Sequence, residues 1–210
     1  MEESVRLREY WEKEYERTDT PFDIEVPDEW IADLERRGRI RGKILDTGCG
    51  PGRTSIYLAK LGYDVTGVDI SDNAIGRAAR RAALEGLRME FFQANVCEWH
   101  GHDGYFDTVI DIGCFHSLLN ESGRVSYASA LHRFMKTGSV VYLRAISDAN
   151  LRKEAASDRA FPALGEETIR AAFSAGWEIR DMEHREIDLL TDNGCKKAWC
   201  WFAEIQREPN

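Results

Sequence analysis

The chain has 210 residues and a formal net charge of −9, a length that suits one domain with a sizeable core. The acidic balance disfavours nucleic acid or an anionic membrane as the main partner. Five cysteines without a C-x-x-C pair disfavour a disulfide framework and a structural zinc site. Because the first residues are acidic and no run approaches roughly 20 apolar residues, we expect a cytoplasmic protein without a membrane partner.

The first forty residues carry two helical patterns. Residues 4–16 mix charged side chains with aromatic and aliphatic ones, which is typical of an amphipathic helix. A second short helix is predicted over residues 28–37, with Pro27 and Asp28 as its start signals. These helices have too little apolar surface to stand alone. We therefore predict that residues 1–40 fold across the main domain as a helical lid.

From residue 43 onward, strand and helix patterns alternate. Several strands are apolar nearly throughout, as strands covered on both faces should be. Such alternation implies an α/β fold with a doubly wound, mostly parallel sheet, and residues 43–147 form its core. The predicted strands are 43–47, 64–69, 89–94, 106–112 and 139–146, and the predicted helices are 53–61, 72–85 and 122–136.

The last part of the chain, residues 148–210, is predicted to complete the same single domain (1–210) with an insertion and two antiparallel strands. The polar stretch 148–165 is expected to be an exposed helical insertion over the site, followed by a helix over 166–175. Asn193-Gly194 is a strong hairpin signal. The two strands that it joins are predicted over 177–188 and 196–206.

The most informative motif joins the first core strand to the helix that follows. Asp46 ends the apolar strand, and Gly48, Gly50 and Gly52 follow at every second position. A turn bare of Cβ atoms allows a ligand to lie against backbone N–H groups. Asp69 ends the next strand, where a carboxylate is suited to the two hydroxyls of a ribose. Together these residues predict a nucleoside-bearing cofactor.

The spacing of the glycines bears on the type of cofactor. The dinucleotide motif G-x-G-x-x-G would need a third glycine where this chain has Arg53, and Asp46 would repel a pyrophosphate but favour an ammonium group. The sequence Asp-x-Gly-x-Gly-x-Gly resembles motif I of the class I S-adenosylmethionine-dependent methyltransferases. Two alternatives stay open: a nicotinamide-dependent oxidoreductase and a catalytically silent S-adenosylmethionine-binding module.

This resemblance implies a seven-stranded Rossmann-like sheet of order 3-2-1-4-5-7-6 with an antiparallel C-terminal hairpin, and S-adenosyl-L-methionine as the cofactor. The glycine loop and its Asp are expected to hold the methionine end, and the second-strand Asp the ribose. Asn95 stands where the family usually has an Asp that accepts from the adenine amino group. The cofactor-binding residues expected on this basis are Trp11, Asp46, Gly48, Cys49, Gly50, Asp69, Ile70, Asn95, Val96 and Asp111.

The segment after the fourth strand bears on the methyl acceptor. Asp111-Ile-Gly-Cys-Phe-His116 lacks the D-P-P-Y type motif of nucleobase amino methyltransferases. Together with Thr20-Pro-Phe22 it resembles the thiopurine/tellurite-resistance-like branch of small-molecule enzymes. His116 is the predicted catalytic residue, because a neutral imidazole can take a proton near pH 7. Its alternative is a packed or capping histidine.

The predicted function is direct in-line methyl transfer to a small-molecule nucleophile, such as a thiol, thiopurine, halide or chalcogen oxyanion. Soft acceptors of this kind need little help from a base, in agreement with the lack of an unmistakable general base in the sequence. No metal and no nucleic-acid partner are expected, and the protein is expected to act as a monomer or a homodimer.

Overall fold

A computed structural model describes residues 2–17, 26–152, 164–191 and 194–209. Within these residues, one seven-stranded sheet forms the centre of the protein. Its strands are β1 (Lys43–Thr47), β2 (Asp64–Asp69), β3 (Glu90–Gln93), β4 (Phe106–Ile112), β5 (Met135–Ile146), β6 (Trp177–Thr191) and β7 (Gly194–Arg207).

Helices cover both faces of this sheet. They are α1 (Glu2–Glu16), α2 (Glu29–Arg36), α3 (Arg53–Lys60), α4 (Asp72–Leu84), α5 (Glu121–Phe134) and α6 (Glu166–Ala172). Short 3₁₀ turns occupy Val96–Glu98, Phe115–Ser117 and Asp148–Arg152. Among the helices described, none combines the length and the apolar character needed to cross a bilayer.

The strand order is β3-β2-β1-β4-β5-β7-β6. The first five strands in this sheet are parallel to their neighbours, whereas β7 runs antiparallel to both β5 and β6. The predicted fold class and strand order are therefore confirmed. The order reverses between β1 and β4, and in parallel sheets the crevice beyond the carboxyl ends at such a point is where ligands bind.

Two hydrophobic layers hold the sheet between its helices. On one face, Phe106, Leu131 and Phe173 are buried in a cluster that joins the strands to α5 and α6. On the other face, Ile31 of α2 and Leu58 of α3 belong to a second cluster with residues of β1, β4 and β5. The parallel strands thus bury both faces, which explains their nearly continuous apolar sequences.

The two leading helices occupy different places. α1 spans the carboxyl edge of the sheet: Glu12 accepts a hydrogen bond from Ser71 Oγ (2.5 Å) just before α4, and Glu3 accepts one from the backbone N–H of Leu119 (2.8 Å) just before α5. In contrast, α2 is part of the core, because Ile31 is fully buried against the sheet. α1 thus covers the crevice, and α2 forms one of its walls.

The structure moves some predicted boundaries. β5 begins at Met135 rather than 139 and α5 ends at Phe134 rather than 136, because the β4–β5 pairing shifts register between Phe106 and Thr108. The last two strands run longer than predicted, and α6 ends at Ala172 rather than 175. Residues 192–193 of the predicted hairpin turn and 153–163 of the predicted insertion lie outside the described residues, as does the Thr20-Pro-Phe22 motif.

Candidate cofactor and acceptor site

A cavity of about 1000 Å³ opens at the carboxyl ends of the central strands. α1, α2 and the extended part of the β6–β7 hairpin complete its walls. The residues predicted for the cofactor, with the exception of Asp111, line this cavity, and so does His116. Those brought together are Trp11, Asp46, Gly48, Cys49, Gly50, Asp69, Ile70, Asn95 and Val96.

The glycine loop is shaped by close contacts with two other segments. Gly48 and Gly50 have φ angles of 61° and 53°, in the left-handed region that favours glycine. A Cβ on Gly48 would lie 2.8 Å from Cys114 Cβ, and one on Gly50 would lie 2.8 Å from the hydroxyl oxygen of Tyr15. The loop is therefore held between α1 and the turn after β4. The sequence did not predict this contact of Tyr15.

Asp46 is a buried carboxylate at the start of the glycine loop. Its Oδ2 accepts a hydrogen bond of 2.5 Å from Ser55 Oγ. Burial, and to a smaller extent the neighbouring carboxylates of Asp111 and Asp69, raise the pKa of Asp46 to about 7 against the opposing effect of the hydrogen bonds from Ser55. An ionised Asp46 would gain free energy from a cation placed against it.

Asp69 ties the glycine loop to the end of β2. Its Oδ2 accepts from the backbone N–H of Gly50 (2.8 Å), and its Oδ1 accepts from that of Ser71 (2.9 Å). Burial raises the pKa of Asp69 to about 6, although these hydrogen bonds lower it. Each carboxylate oxygen can accept a further hydrogen bond. Asp69 can thus hold the loop and still accept from a ligand in the cavity.

The chemistry of this half of the cavity fits S-adenosylmethionine. Asp46 and Asp69 are both buried, both line the cavity, and each carries a pKa that burial has raised. S-adenosylmethionine brings a cationic sulfonium and an ammonium group, whose positive charges would offset the repulsion between the carboxylates. A pyrophosphate would add to that repulsion.

Asp111, in contrast, is fully used by the chain itself. Its Oδ1 accepts from the backbone N–H groups of Gly113 (3.0 Å) and Cys114 (2.8 Å). Its Oδ2 accepts from the N–H of Phe115 (2.9 Å) and from the hydroxyl of Tyr127 (2.6 Å). Through these four hydrogen bonds, Asp111 fixes the conformation of the turn that contacts the glycine loop. Sequence reasoning did not identify Tyr127, which lies on the distant helix α5.

Asn95 caps the 3₁₀ turn that follows β3. Its Oδ1 accepts from the backbone N–H of Cys97 (3.0 Å), and its Nδ2 donates to Ser4 Oγ (3.0 Å) and Glu98 Oε1 (3.1 Å). The carbonyl oxygen that was expected to meet adenine therefore already has one donor. Val96, the next residue, is buried and lines the cavity.

His116 lies in the 3₁₀ turn that follows β4, and it lines the cavity between the glycine loop and the other half of the cavity. Its ring contacts Gly113, whose Cβ would lie 3.1 Å from His116 Cε1. Burial and, to a smaller extent, the positive charge of Arg144 lower the pKa of His116 to about 4. A base this weak holds very few protons at neutral pH, and proton transfer is most efficient when the pKa of the base lies near the working pH.

The other half of the cavity contains charged residues that the sequence analysis did not assign to the site. Arg144 Nη1 donates to Asp28 Oδ2 in a salt bridge, and Asp28 Oδ1 accepts from the backbone N–H of Trp30 (3.1 Å). Arg53 lies close to both charges, and its Nε donates to the carbonyl of Val26. Arg144 could have been noticed as the charged residue in the otherwise apolar run Val140–Ile146.

Aromatic side chains stand beside these charges. Trp30 and Phe202 pack edge to face with ring centroids 4.9 Å apart, and the Arg185 guanidinium lies 4.0 Å above the Phe202 ring. Ile187 of the extended hairpin also lines the cavity. A small planar molecule would thus meet both apolar rings and positive charge here.

The thiols in the cavity are not suited to metal binding or nucleophilic chemistry. Cys49, Cys97 and Cys114 line the cavity as free cysteines. Burial raises the pKa of the Cys114 thiol, which keeps it protonated. Within the described part of the chain, no group of three or more His, Cys, Asp or Glu side chains could hold a metal ion.

Comparison with known proteins agrees with this site. Residues 44–138 match the sequence profile of the family described as "Methyltransferase domain". The chain is 43% identical over 117 residues to an uncharacterised methyltransferase of Schizosaccharomyces pombe, and this alignment covers 56% of this chain and 80% of the relative. It is 30% identical over 195 residues to the 2-heptyl-1-hydroxyquinolin-4(1H)-one methyltransferase of Mycobacteroides abscessus, and that alignment covers 90% of this chain and 82% of the relative.

A solved structure is similar over nearly the whole chain. It is described as "Conversion of a Disulfide Bond into a Thioacetal Group during Echinomycin Biosynthesis". The TM-score is 0.83 at 30% identity, with 95% of this chain and 92% of that chain covered.

Proposed function

The chain belongs to the S-adenosylmethionine-dependent methyltransferases, and we propose that its acceptor is a small-molecule nucleophile that enters the cavity already ionised. The observation that carries this proposal is the position of His116, which is partly buried in the cavity wall under the influence of the cationic Arg144, so that its pKa is lowered to about 4. With so weak a base beside the site, an acceptor that must lose a proton during the reaction would be poorly served. An acidic hydroxyl or thiol, ionised in solution, needs no such help.

On the cofactor side, we assign roles to the residues around the glycine loop. Asp46 accepts from the ammonium group, and the backbone of Gly48, Cys49 and Gly50 lies against the methionine end. Asp69 accepts from the ribose hydroxyls while it holds the loop through the Gly50 N–H. When bound, S-adenosylmethionine supplies a methyl carbon made electrophilic by the adjacent positive sulfur.

The remaining cofactor residues act on the nucleoside or support the loop. Ile70 and Val96 provide the apolar surface for the adenine, and Asn95 acts chiefly by holding the turn that carries Val96. Trp11 closes the cavity from α1. Asp111 is a positioning residue, because its four hydrogen bonds from the chain set the turn that contacts Gly48.

Catalysis then depends on alignment and on exclusion of water. α1 is fixed over the crevice by Glu12 at one end and Glu3 at the other, so it shields the reacting groups from solvent. Holding two reactants in line can supply several kcal/mol of the barrier reduction, roughly 7–11 kcal/mol in the best intramolecular cases. The chain's own contribution is thus to place an ionised acceptor against a fixed cofactor.

Among acceptors, we favour hydroxyl or thiol groups on small aromatic or heterocyclic rings. The similar protein of Mycobacteroides abscessus is named for a hydroxyquinolone, a planar ring with an ionisable N-hydroxyl and an alkyl tail. Trp30 and Phe202 offer the matching apolar surface. Thiols and thiopurines fit the same requirement, and the resemblance to the thiopurine/tellurite-resistance-like branch keeps halides and chalcogen oxyanions in the test panel.

The test is the release of S-adenosylhomocysteine across a panel of thiols, thiopurines, hydroxyquinolones, phenols, amines, halides and oxyanions. We expect turnover with acidic hydroxyls or thiols, and we expect the pH profile of kcat/KM to follow the ionisation of each acceptor. His116→Asn should leave the shape of that profile unchanged. A limb near pH 6.5 that is common to all acceptors and disappears in His116→Asn would refute the proposal.

A further inference from the structure

We propose that Arg53 and Arg144 together form an anion-binding site that selects methyl acceptors by the negative charge of the reacting oxygen or sulfur. This inference rests on the proposed function and deepens it, because it names the residues that recognise the ionised acceptor. The acceptor class that fits is the anion of a small planar hydroxyl or thiol compound.

The first argument is the balance of charge in this half of the cavity. Among the described residues, Arg144 forms a salt bridge with Asp28, and the charges of Asp28 and Arg144 both act on the guanidinium of Arg53. The side chain of Arg144 is 17% exposed and that of Asp28 is 5% exposed, so solvent screens this group poorly. Burial lowers the pKa of Arg53, and the cation of Arg144 adds to this. Among Arg53, Arg144 and Asp28 the positive charges outnumber the negative one, and an anion placed against the two arginines would compensate the excess.

The second argument is the place of Arg144 in the sheet. It lies at the carboxyl end of β5, in register with Ile112 of β4. The turn that follows β4 carries His116, whose pKa is lowered by the charge of Arg144, and Cys114, which contacts the glycine loop at Gly48. Arg144 therefore lies directly across the turn that separates the cofactor half of the cavity from the acceptor half.

The third argument is the position of the aromatic rings. Trp30 lies two residues after Asp28, and its backbone N–H donates a hydrogen bond to the Asp28 side chain. The Trp30 ring packs against Phe202. A flat acceptor lying along these rings would direct a polar edge toward Asp28 and Arg144. Guanidinium groups suit the role because they present several donors to an oxyanion or thiolate.

Asp28 has an alternative role that must be separated from this one. Its carboxylate also lines the cavity, so it could take a proton from a neutral acceptor. Asp28→Asn distinguishes the two, because asparagine keeps the cap oxygen for the Trp30 N–H and removes only the charge. An anion site gains affinity when this competing negative charge is removed. A general base loses its function.

The experiment measures binding by calorimetry at pH 8.5, in the presence of S-adenosylhomocysteine, so that no turnover is required. The probes are 4-nitrophenol and 4-nitrothiophenol, both ionised at this pH, and the neutral 4-nitroaniline of the same shape. We expect Arg144→Gln and Arg53→Gln each to weaken binding of the anions by about tenfold to a hundredfold, with little effect on 4-nitroaniline. Asp28→Asn should bind the anions severalfold more tightly.

Two further variants keep the result interpretable. Arg170→Gln removes an exposed arginine of α6 that pairs with Glu166 and should change no affinity. Because Arg144→Gln leaves Asp28 without this salt bridge and could unfold, the double variant Asp28→Asn/Arg144→Gln removes both charges. It should melt near the wild-type temperature, and its affinity for the anions should still be lower than that of wild type.

The inference is overturned if anions and 4-nitroaniline bind wild type equally well, or if the arginine variants weaken all three probes alike. It is also overturned if Asp28→Asn fails to tighten anion binding and abolishes turnover, since Asp28 would then be the base. Failure of the proposed function looks different: a pH limb that depends on His116, with the binding preference for anions intact.

Discussion

Asp46→Asn should make the ligand-free protein more stable at alkaline pH while it weakens cofactor binding. Asp46 is only 3% exposed, and burial raises its pKa from 3.8 to about 7. A carboxyl group whose pKa is raised on folding stabilises the folded state only while it is protonated. Its contribution is complete below pH 3.8 and is lost as the pH rises toward 7. Asparagine keeps an oxygen for the Ser55 hydroxyl and has no charge to bury.

The size of the effect follows from the pKa. Between pH 5 and pH 8.5 the ionisation penalty of Asp46 grows over about two pKa units, which corresponds to about 3 kcal/mol. The burial of Asp69 and Asp111 also makes wild type less stable at high pH, but these groups remain in the variant and largely cancel in the comparison. The free energy of unfolding of Asp46→Asn, relative to wild type, should therefore rise by about 3 kcal/mol over this range.

The assay is urea unfolding of wild type and Asp46→Asn at pH 5 and pH 8.5, each with and without S-adenosylhomocysteine. We expect the stability advantage of the variant to appear at pH 8.5 and the ligand-induced stabilisation to shrink. Asp64→Asn, in which an exposed carboxylate is removed from the start of β2, serves as the control. An advantage of Asp46→Asn that is equal at the two pH values would refute the argument, because it would show that Asp46 is not ionised at a cost.

Two further predictions concern α1 and the glycine loop. Gly50→Ala should cost about 2–4 kcal/mol in the free energy of unfolding and weaken S-adenosylhomocysteine binding. The alanine would have to keep a positive φ, and its methyl group would meet the Tyr15 hydroxyl at 2.8 Å. Gly62→Ala, with a φ of 91° and open space around it, measures the backbone strain alone, and Tyr15→Phe should restore part of the loss at Gly50. Glu12→Gln should accelerate release of S-adenosylhomocysteine severalfold in stopped-flow experiments, since it weakens the fastening of α1 at Ser71, whereas the exposed Glu9→Gln should not. Equal release rates in the two glutamate variants would show that α1 does not limit exit from the cavity.

The part of the site that the sequence predicts is the part built from consecutive residues. The glycine loop between β1 and α3 and the carboxylate at the end of β2 are local patterns, since each follows directly from a strand and the turn after it. Parallel pairing then brings Asp46 into register with Gly67, close to Asp69, so the two acids share one edge of the sheet. Alternating strands and helices fix that arrangement without knowledge of side-chain contacts.

The acceptor half of the cavity depends on contacts between distant segments. Asp28 and Arg144 are separated by 116 positions in the chain, and each is an ordinary residue in its own element. The use of Asp111 by the turn that follows could not be foreseen either. It requires Tyr127, on a helix that packs against the sheet only after folding. The early start of β5 likewise depends on a shift in its pairing with β4.

The two halves of the cavity suit reactants of opposite charge. In the proposed arrangement, Asp46 and Asp69 would face the cationic cofactor, and Arg53 and Arg144 would face the acceptor anion. Transfer of the methyl group removes one positive charge from the sulfur and one negative charge from the acceptor. The methylated acceptor then no longer matches the two arginines, whereas the cofactor product keeps the ammonium group that Asp46 is proposed to hold. The same charges also stabilise the separated reactants, and excessive stabilisation would slow a reaction in which charge disappears. We expect Asp28 to limit this effect, because its carboxylate lies near both guanidinium groups and weakens their positive field.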